Sequence, residues 1–266
     1  MPDTNLKVAL IPMDMRLGDA QYNVAYATRM IEALDADTDL VVLPEMCTTG
    51  YSLDPMLVEK FVEAPDGQSV TALRKLSERR GMAIWGTFAC VEDGKYYNRG
   101  FMIDPDASDI KFYDKRHLFS VGREDMLYTP GEDKPSAVSF RGWKLQMCIC
   151  YDLRFPVWCR NVNCGYDALI LPANWPEARQ FAWYHLLVAR AIENQAYVCG
   201  CNRLGEDPYG SYSHELSYVF NHWGDDISDR STPGVVYAVL DGKKLTSDRL
   251  RFGPWRDADD FTVFVD

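Results

Sequence analysis

The chain has 266 residues, 47% of them hydrophobic and 25% charged, enough for one continuous core without requiring a second domain. Its formal charge is −11 and it carries no block of Lys or Arg, which argues against a nucleic-acid binder and for a well-solvated acidic surface. No apolar run reaches the roughly 18 to 20 residues that span a bilayer, and the opening MPDTNLKVALIPMDMRLGD lacks a secretory pattern, so the expectation is a soluble cytosolic protein with no membrane partner.

Apolar runs with strand character recur along the chain. They cover residues 6–13, 40–43, 82–90, 97–103, 110–113, 145–150, 168–171, 196–201, 217–220 and 235–240, several of them rich in Val, Ile and aromatics and bounded by Gly, Pro, Asp or Asn. Helical spacing appears at 22–34 (Val24, Ala27, Ile31, Leu34), at 70–80, which stops at Gly81, and at 176–195, with Pro176 near its start. Strands and helices mixed in this order predict a layered α/β domain with helices covering the sheet faces. No linker, repeat or change of composition divides the chain, so one domain over 1–266 is expected.

The eight cysteines (47, 90, 148, 150, 159, 164, 199, 201) are expected to be reduced in the cytosol, most of them serving as small hydrophobes. The pairs 148/150 and 199/201 are C-x-C, which on a strand would point both members to one face. Zinc sites prefer C-x₂₋₄-C, and the four histidines (117, 185, 214, 222) form no H-x₃₋₅-H pair, so no metal is expected.

Three chemically capable residues follow apolar runs. "DLVVLPE" delivers Glu45, "DIKFYDK" delivers Lys115 and "LQMCICYD" delivers Cys150. Strand ends border the ligand crevice of open α/β sheets, so the three are candidates to converge there. A thiol is mostly protonated at neutral pH; a carboxylate can take its proton, and an ammonium can favour the thiolate or hold an oxyanion. Taken singly, each residue has an ordinary reading as well: a buried structural Cys, a solvated loop Glu, and a Lys in a charged turn.

Together the segments "VVLPEMCTTGY", "YDKRHLF" and "CICYDLRFP", continued by "ALILPANWPEAR", "WYHLLVARAIENQAYVCGCNRLG" and "RFGPWRDADDF", resemble the nitrilase (carbon–nitrogen hydrolase) superfamily over nearly the whole chain and in order. The resemblance implies a four-layer αββα sandwich that commonly dimerises or forms higher homo-oligomers, with no metal or organic cofactor. It implies Glu45 as general base, Lys115 as oxyanion-stabilising residue and Cys150 as nucleophile, with the backbone N–H of Tyr151 completing the oxyanion hole. Glu124 falls where relatives place a second glutamate that supports the Lys; its plain alternative is a surface Glu before a turn.

The forms "YDLRFP" and "PANWP" look most like the omega-amidase branch, which hydrolyses the terminal amide of 2-oxo-dicarboxylic acid monoamides such as 2-oxoglutaramate or 2-oxosuccinamate. A carboxylate on that substrate calls for a basic residue. Arg154 has a fork suited to it, although a structural Arg is the alternative. Phe119 and Trp175 are candidates to wall the pocket, or else are core aromatics. The stretch "SYSHELS" departs from the branch at 214–217 and bears on substrate preference. A nitrilase or an N-carbamoyl amine hydrolase would use the same triad. A catalytically idle interaction subunit and a redox-sensing thiol also stay open, and the aromatic tail "FGPWRDADDFTVFVD" is a candidate dimer surface.

Overall fold

The computed structural model describes residues 1–134 and 136–263, so the last three residues of the aromatic tail and the His214 side chain lie outside the described residues. The first half of the chain runs β1 (Asn5–Leu10), α1 (Ala20–Glu32), β2 (Leu40–Val42), α2 (Pro55–Phe61), α3 (Gln68–Arg80), β3 (Ala83–Glu92), β4 (Lys95–Ile103) and β5 (Lys111–Asp114). The second half runs β6 (Val138–Phe140), β7 (Trp143–Met147), β8 (Ala168–Ala173), α4 (Gln180–Asn194), β9 (Tyr197–Asn202), β10 (Gly205–Asp207), β11 (Gly210–Tyr212), β12 (Tyr218–Phe220), β13 (Val236–Asp241) and α5 (Gly242–Arg251).

Two sheets result, ordered β13-β1-β2-β3-β4-β5 and β12-β9-β8-β7-β6, with the short β10–β11 hairpin apart. The centres of both are parallel, β1-β2-β3 in one and β7-β8-β9 in the other. Parallel strands are covered on both faces, which is why they read as unbroken apolar runs.

Side-chain alternation sorts those runs into layers. On the first sheet, Leu6, Val8, Leu10, Leu40, Val42 and Trp85 enter the core shared with the second sheet. Their neighbours Ala9, Val41, Leu43 and Ile84 pack instead with Ile31 of α1 and Val70 and Leu73 of α3. On the second sheet, the Cys201 thiol donates to the Val42 carbonyl at 3.2 Å across the sandwich. Gly200, one residue earlier, turns toward α4. The order α, β, β, α is the expected four-layer sandwich.

Gly200 is where α4 comes closest. A Cβ there would lie 2.8 Å from both Leu187 Cδ1 and Trp183 Cζ2, and Trp183 is fully buried. Gly200→Ala is therefore expected to destabilise by about 1–3 kcal/mol through overpacking, measured as a lower urea midpoint with an unchanged slope. An unchanged midpoint would mean that the helix yields freely.

Boundaries differ from the sequence expectation in places. The run 6–13 is strand only to Leu10, and 145–150 only to Met147. The helix expected over 176–195 begins at Gln180, after a tight turn at Glu177–Arg179. Helices α2 and α5 and strands β6, β10 and β11 were not legible. α5 turns Leu245, Asp248 and Arg249 inward, and that mixed face has no apolar period. It is anchored by Arg249, which donates to Asp167 Oδ1 at 2.7 Å and to the Tyr166 and Gln195 carbonyls. No helix among the described residues is long and apolar enough to cross a membrane.

Candidate active site

The C-terminal ends of β2, β7 and β8 meet at one edge of the sandwich. Three residues beyond Leu43 the chain turns sharply: Met46 takes a left-handed φ of 53°, and its N–H donates to Thr87 Oγ1 at 2.8 Å. The turn leaves Glu45 fully inside. Its backbone carbonyl accepts from Asn174 Nδ2, and its Oε2 accepts from the Asn174 N–H, both at 2.9 Å. The carboxylate at the end of β2 is thereby fixed to the end of β8 in the other sheet.

Lys115 follows β5 and is buried at 1% exposure. Its Nζ donates to Glu45 Oε1 at 2.8 Å and to Glu124 Oε1 and Oε2 at 3.1 and 2.9 Å. Asn98, from the middle of β4, donates to the same two carboxylates at 2.7 and 3.2 Å. Its own carbonyl oxygen accepts from Thr87 Oγ1. Glu124 is fully buried and also accepts from the Phe119 N–H at 2.7 Å, so the surface alternative for it falls.

Cys150 is not a strand residue. β7 stops at Met147, and Cys150 opens a single tight turn, Cys150–Arg154, with a left-handed φ of 44°. For a side-chain-bearing residue this conformation costs on the order of 1–3 kcal/mol and persists only when the surroundings impose it. They do so here through Asp152, which is fully buried. Its oxygens accept from Ile149 N, His117 N and Tyr113 OH at 2.9, 3.0 and 2.8 Å and meet His117 Nδ1 at 2.8 Å. Tyr113 and His117 flank Lys115, so one carboxylate ties the Cys turn to the Lys segment.

Because the strand ends first, the two C-x-C sulfurs part company rather than sharing a face. Cys148 lies 3.7 Å from Cys159 Sγ in the core, whereas Cys150 lines an open pocket and contacts the Asn174 carbonyl at 3.9 Å.

Burial and the adjacent Glu45 carboxylate push the Cys150 thiol well above its ordinary range, against the opposing pull of Lys115. Burial alone would lower the Lys115 pKa, but Glu124 and Glu45 outweigh it and hold it well above the usual value. Burial raises Glu124, opposed by Lys115 and reinforced by Glu45. The site at rest is thus a protonated thiol beside an ammonium. This arrangement is suited to attack on a carbonyl with the proton passing to a carboxylate.

The pocket over the thiol has a volume of about 60 Å³ and opens to solvent. Phe119, Tyr151, Arg154 and Trp175 all line it, together with Glu45, Lys115 and Cys150. Sequence reasoning missed Asn98, Asp152 and Asn174, and in the wall Tyr51, Arg179, Tyr209 and Tyr212. The Tyr51 hydroxyl is buried without a partner among the described residues, and its ring meets Tyr209 edge-on at 5.4 Å. The divergent stretch at 214–217 sits behind the wall, where the Leu216 carbonyl accepts from Trp183 Nε1 and the Ser217 hydroxyl accepts from Asn202 N; Tyr212, just before it, lines the pocket. Among the described residues no three His, Cys, Asp or Glu side chains converge to hold a metal.

Comparison with known proteins identifies the family. Residues 7–249 match the carbon–nitrogen hydrolase family model. The chain is 37% identical to omega-amidase YafV of Yersinia enterocolitica, covering 98% of this chain and 99% of the relative. It is 32% identical to 2-oxoglutaramate amidase of Bacillus subtilis over 88% of this chain and 90% of that protein. Among solved structures, XC1258 of Xanthomonas campestris, a CN-hydrolase superfamily protein with an arsenic adduct in its active site, superimposes with a TM-score of 0.91 at 35% identity, over 98% of this chain and 100% of that one. The chain belongs to the carbon–nitrogen hydrolase family.

Proposed function

We propose that this protein is an omega-amidase: it hydrolyses the terminal amide of a small 2-oxo-dicarboxylic acid monoamide, 2-oxoglutaramate or 2-oxosuccinamate, to the 2-oxo acid and ammonia. The observation that carries the reading is the Glu45–Lys115–Glu124 cluster set against the Cys150 thiol in a pocket that also bears Arg154. The omega-amidase and 2-oxoglutaramate amidase relatives support the substrate class.

In this reading the amide carbonyl sits between Cys150 and Lys115. Glu45 takes the thiol proton as Sγ bonds to the carbonyl carbon. The Lys115 ammonium and the Tyr151 N–H hold the oxyanion. Collapse breaks the C–N bond, and Glu45 returns its proton to the departing nitrogen, releasing ammonia and leaving a thioester. A water deprotonated by Glu45 attacks the thioester; the second oxyanion collapses, the acid leaves and Cys150 regains its proton. Glu124 and Asn98 position Lys115 and Glu45, Asp152 positions Cys150, and Arg154 pairs with the substrate carboxylate while Phe119 and Trp175 wall the pocket.

A redox-sensing thiol is disfavoured, because that role needs a low-pKa, exposed cysteine and burial drives Cys150 the other way. We also infer a homodimer in the cytoplasm. Phe181, Ile192, Trp223, Leu250 and Phe252 are apolar and outward-facing, the kind of surface an interface covers. The eight free thiols suit a reducing compartment.

The test is ammonia release from 2-oxoglutaramate, with a nitrile and an N-carbamoyl amine in parallel. Turnover of the oxo-amide alone is the expected result. Turnover of only the nitrile or the carbamoyl compound would keep the triad and reject the substrate class.

A further inference from the structure

Two arginines line the pocket, and neither guanidinium has a carboxylate counter-ion among the described residues. Arg154 ends the turn that begins at Cys150, and its guanidinium lies 4.7 Å from the centre of the Trp175 ring. Arg179 ends the turn before α4, and its guanidinium lies 5.3 Å from the centre of the Phe119 ring. Trp175 also donates its indole N–H to the Arg179 carbonyl at 2.9 Å, so a single buried indole braces both segments. Both arginines are exposed, whereas the buried arginines each meet a carboxylate: Arg99 meets Asp114, Arg203 meets Asp207 and Arg249 meets Asp167 at 2.7 Å, and Arg190 meets Glu193 at 2.8 Å. In a chain of net charge −11, two pocket-lining forks without a carboxylate partner among the described residues form a site built for an external anion.

We propose that Arg179 reads the 2-position of the substrate, acting with Arg154 as a two-armed site that favours 2-oxo acid amides and rejects 2-ammonio amides such as glutamine. This rests on the omega-amide reading above. With the amide carbonyl held at Cys150 and Lys115, the far end of a short chain lies toward the exposed guanidiniums. A 2-oxo acid presents three acceptor oxygens there. One fork takes the two carboxylate oxygens, and the keto oxygen is left for a second donor. A 2-ammonio group, similar in size, places a cation against two others. Like-charge juxtaposition discriminates where shape does not.

The experiment measures kcat and KM of the full chain for three amides on a five-carbon acid: 2-oxoglutaramate, glutaramate (no 2-substituent) and glutamine. The wild type is compared with Arg179→Gln, Arg179→Lys and Arg154→Gln. Arg179→Gln is expected to lower kcat/KM for 2-oxoglutaramate ~10- to 100-fold, mainly through KM, the value of a charge-assisted hydrogen bond. For glutaramate the loss is at most about 3-fold, and the glutamine to 2-oxoglutaramate ratio rises at least ~10-fold on the same scale. Arg179→Lys recovers part of the loss. Arg154→Gln depresses 2-oxoglutaramate and glutaramate alike, since both carry the carboxylate.

Equal losses on 2-oxoglutaramate and glutaramate in Arg179→Gln would overturn the inference in favour of a general charge or structural role, and an unmoved ratio would overturn it too. A wild type that turns over none of the three would overturn the omega-amide reading and the inference with it. An active wild type with an unmoved ratio sinks the inference alone.

Discussion

Cys150→Ala is expected to abolish ammonia release from 2-oxoglutaramate, a loss of ~10⁴-fold or more, as removal of a covalent nucleophile generally gives. The fold should survive. Among the described residues the Cys150 sulfur makes one long hydrogen bond, 3.9 Å to the Asn174 carbonyl, and the turn is held by Asp152 rather than by the thiol. Stability within about 1 kcal/mol of wild type is the expectation for so small a deletion at a residue bordering an open pocket. Cys150→Gly is informative in a different way. With a φ of 44°, the position stores strain that glycine does not pay, so this inactive variant should be no less stable than Cys150→Ala despite the extra freedom of its unfolded chain. Residual turnover in Cys150→Ala within ~100-fold of wild type would exclude a thioester route, which loses orders of magnitude more without its nucleophile.

How much of this was readable beforehand follows from what burial does to sequence. Strands β1, β2, β3, β7, β8 and β9 are covered on both faces, so they stand out as apolar runs, and the reactive residues stand out as the first polar groups beyond them. Glu45 is legible for that reason, whereas Lys115 follows β5, a short half-exposed edge strand that itself ends in Asp114, and stands out only as the cation after an aromatic pair. Cys150 is apolar enough to be absorbed into its own run, and the true end of β7 at Met147 is invisible because Cys148 and Ile149 continue into the core.

The residues that aim the site were not legible. Asn98 sits among aromatic neighbours in "YYNRGF", and nothing in that alternation says that its amide joins two carboxylates from distant segments. A polar residue in the middle of an otherwise buried strand was the available signal. Asp152 and Asn174 lie inside the quoted motifs, yet their partners come from β5 and from the β2 turn, separations of 39 and 129 positions. Pairings at such range are fixed by topology and not by local pattern. Helix α5 escaped for a related reason: its inner face is held by the Arg249–Asp167 ion pair and carries too little apolar surface to show a period.

Lys115→Met is expected to damage both stability and activity, in a pH-dependent way that separates the two. The ammonium lies 2.8 Å from Glu45 and 2.9 Å from Glu124, with all three side chains at most 1% exposed. Deleting it leaves two carboxylates in a dry site with Asn98 bridging them. Breaking a buried pair in this manner costs about 3–5 kcal/mol, and loss of the oxyanion donor costs about 10²- to 10³-fold in kcat.

The sign of the pH effect follows from the carboxyls. Burial already raises Glu124 while Lys115 opposes that rise, so removing Lys115 drives it higher. A carboxyl whose folded pKa exceeds its unfolded value, about 4.3, binds protons more tightly in the native state. Stability then falls as pH rises from the unfolded pKa through the folded one. In wild type the Lys115 contribution has the opposite reach: its pKa is raised, so it is fully present throughout pH 5–8 and is lost only at alkaline pH. The variant should therefore lie closest to wild type near pH 5 and farthest at pH 8, measured by urea unfolding at each pH. A constant difference across that range would mean that the carboxylates had found another counter-charge. Adding Glu124→Gln to Lys115→Met removes one of the two negative charges, and it should restore much of the stability at pH 8 while leaving turnover absent, because neutrality satisfies the core but supplies no cation to the oxyanion.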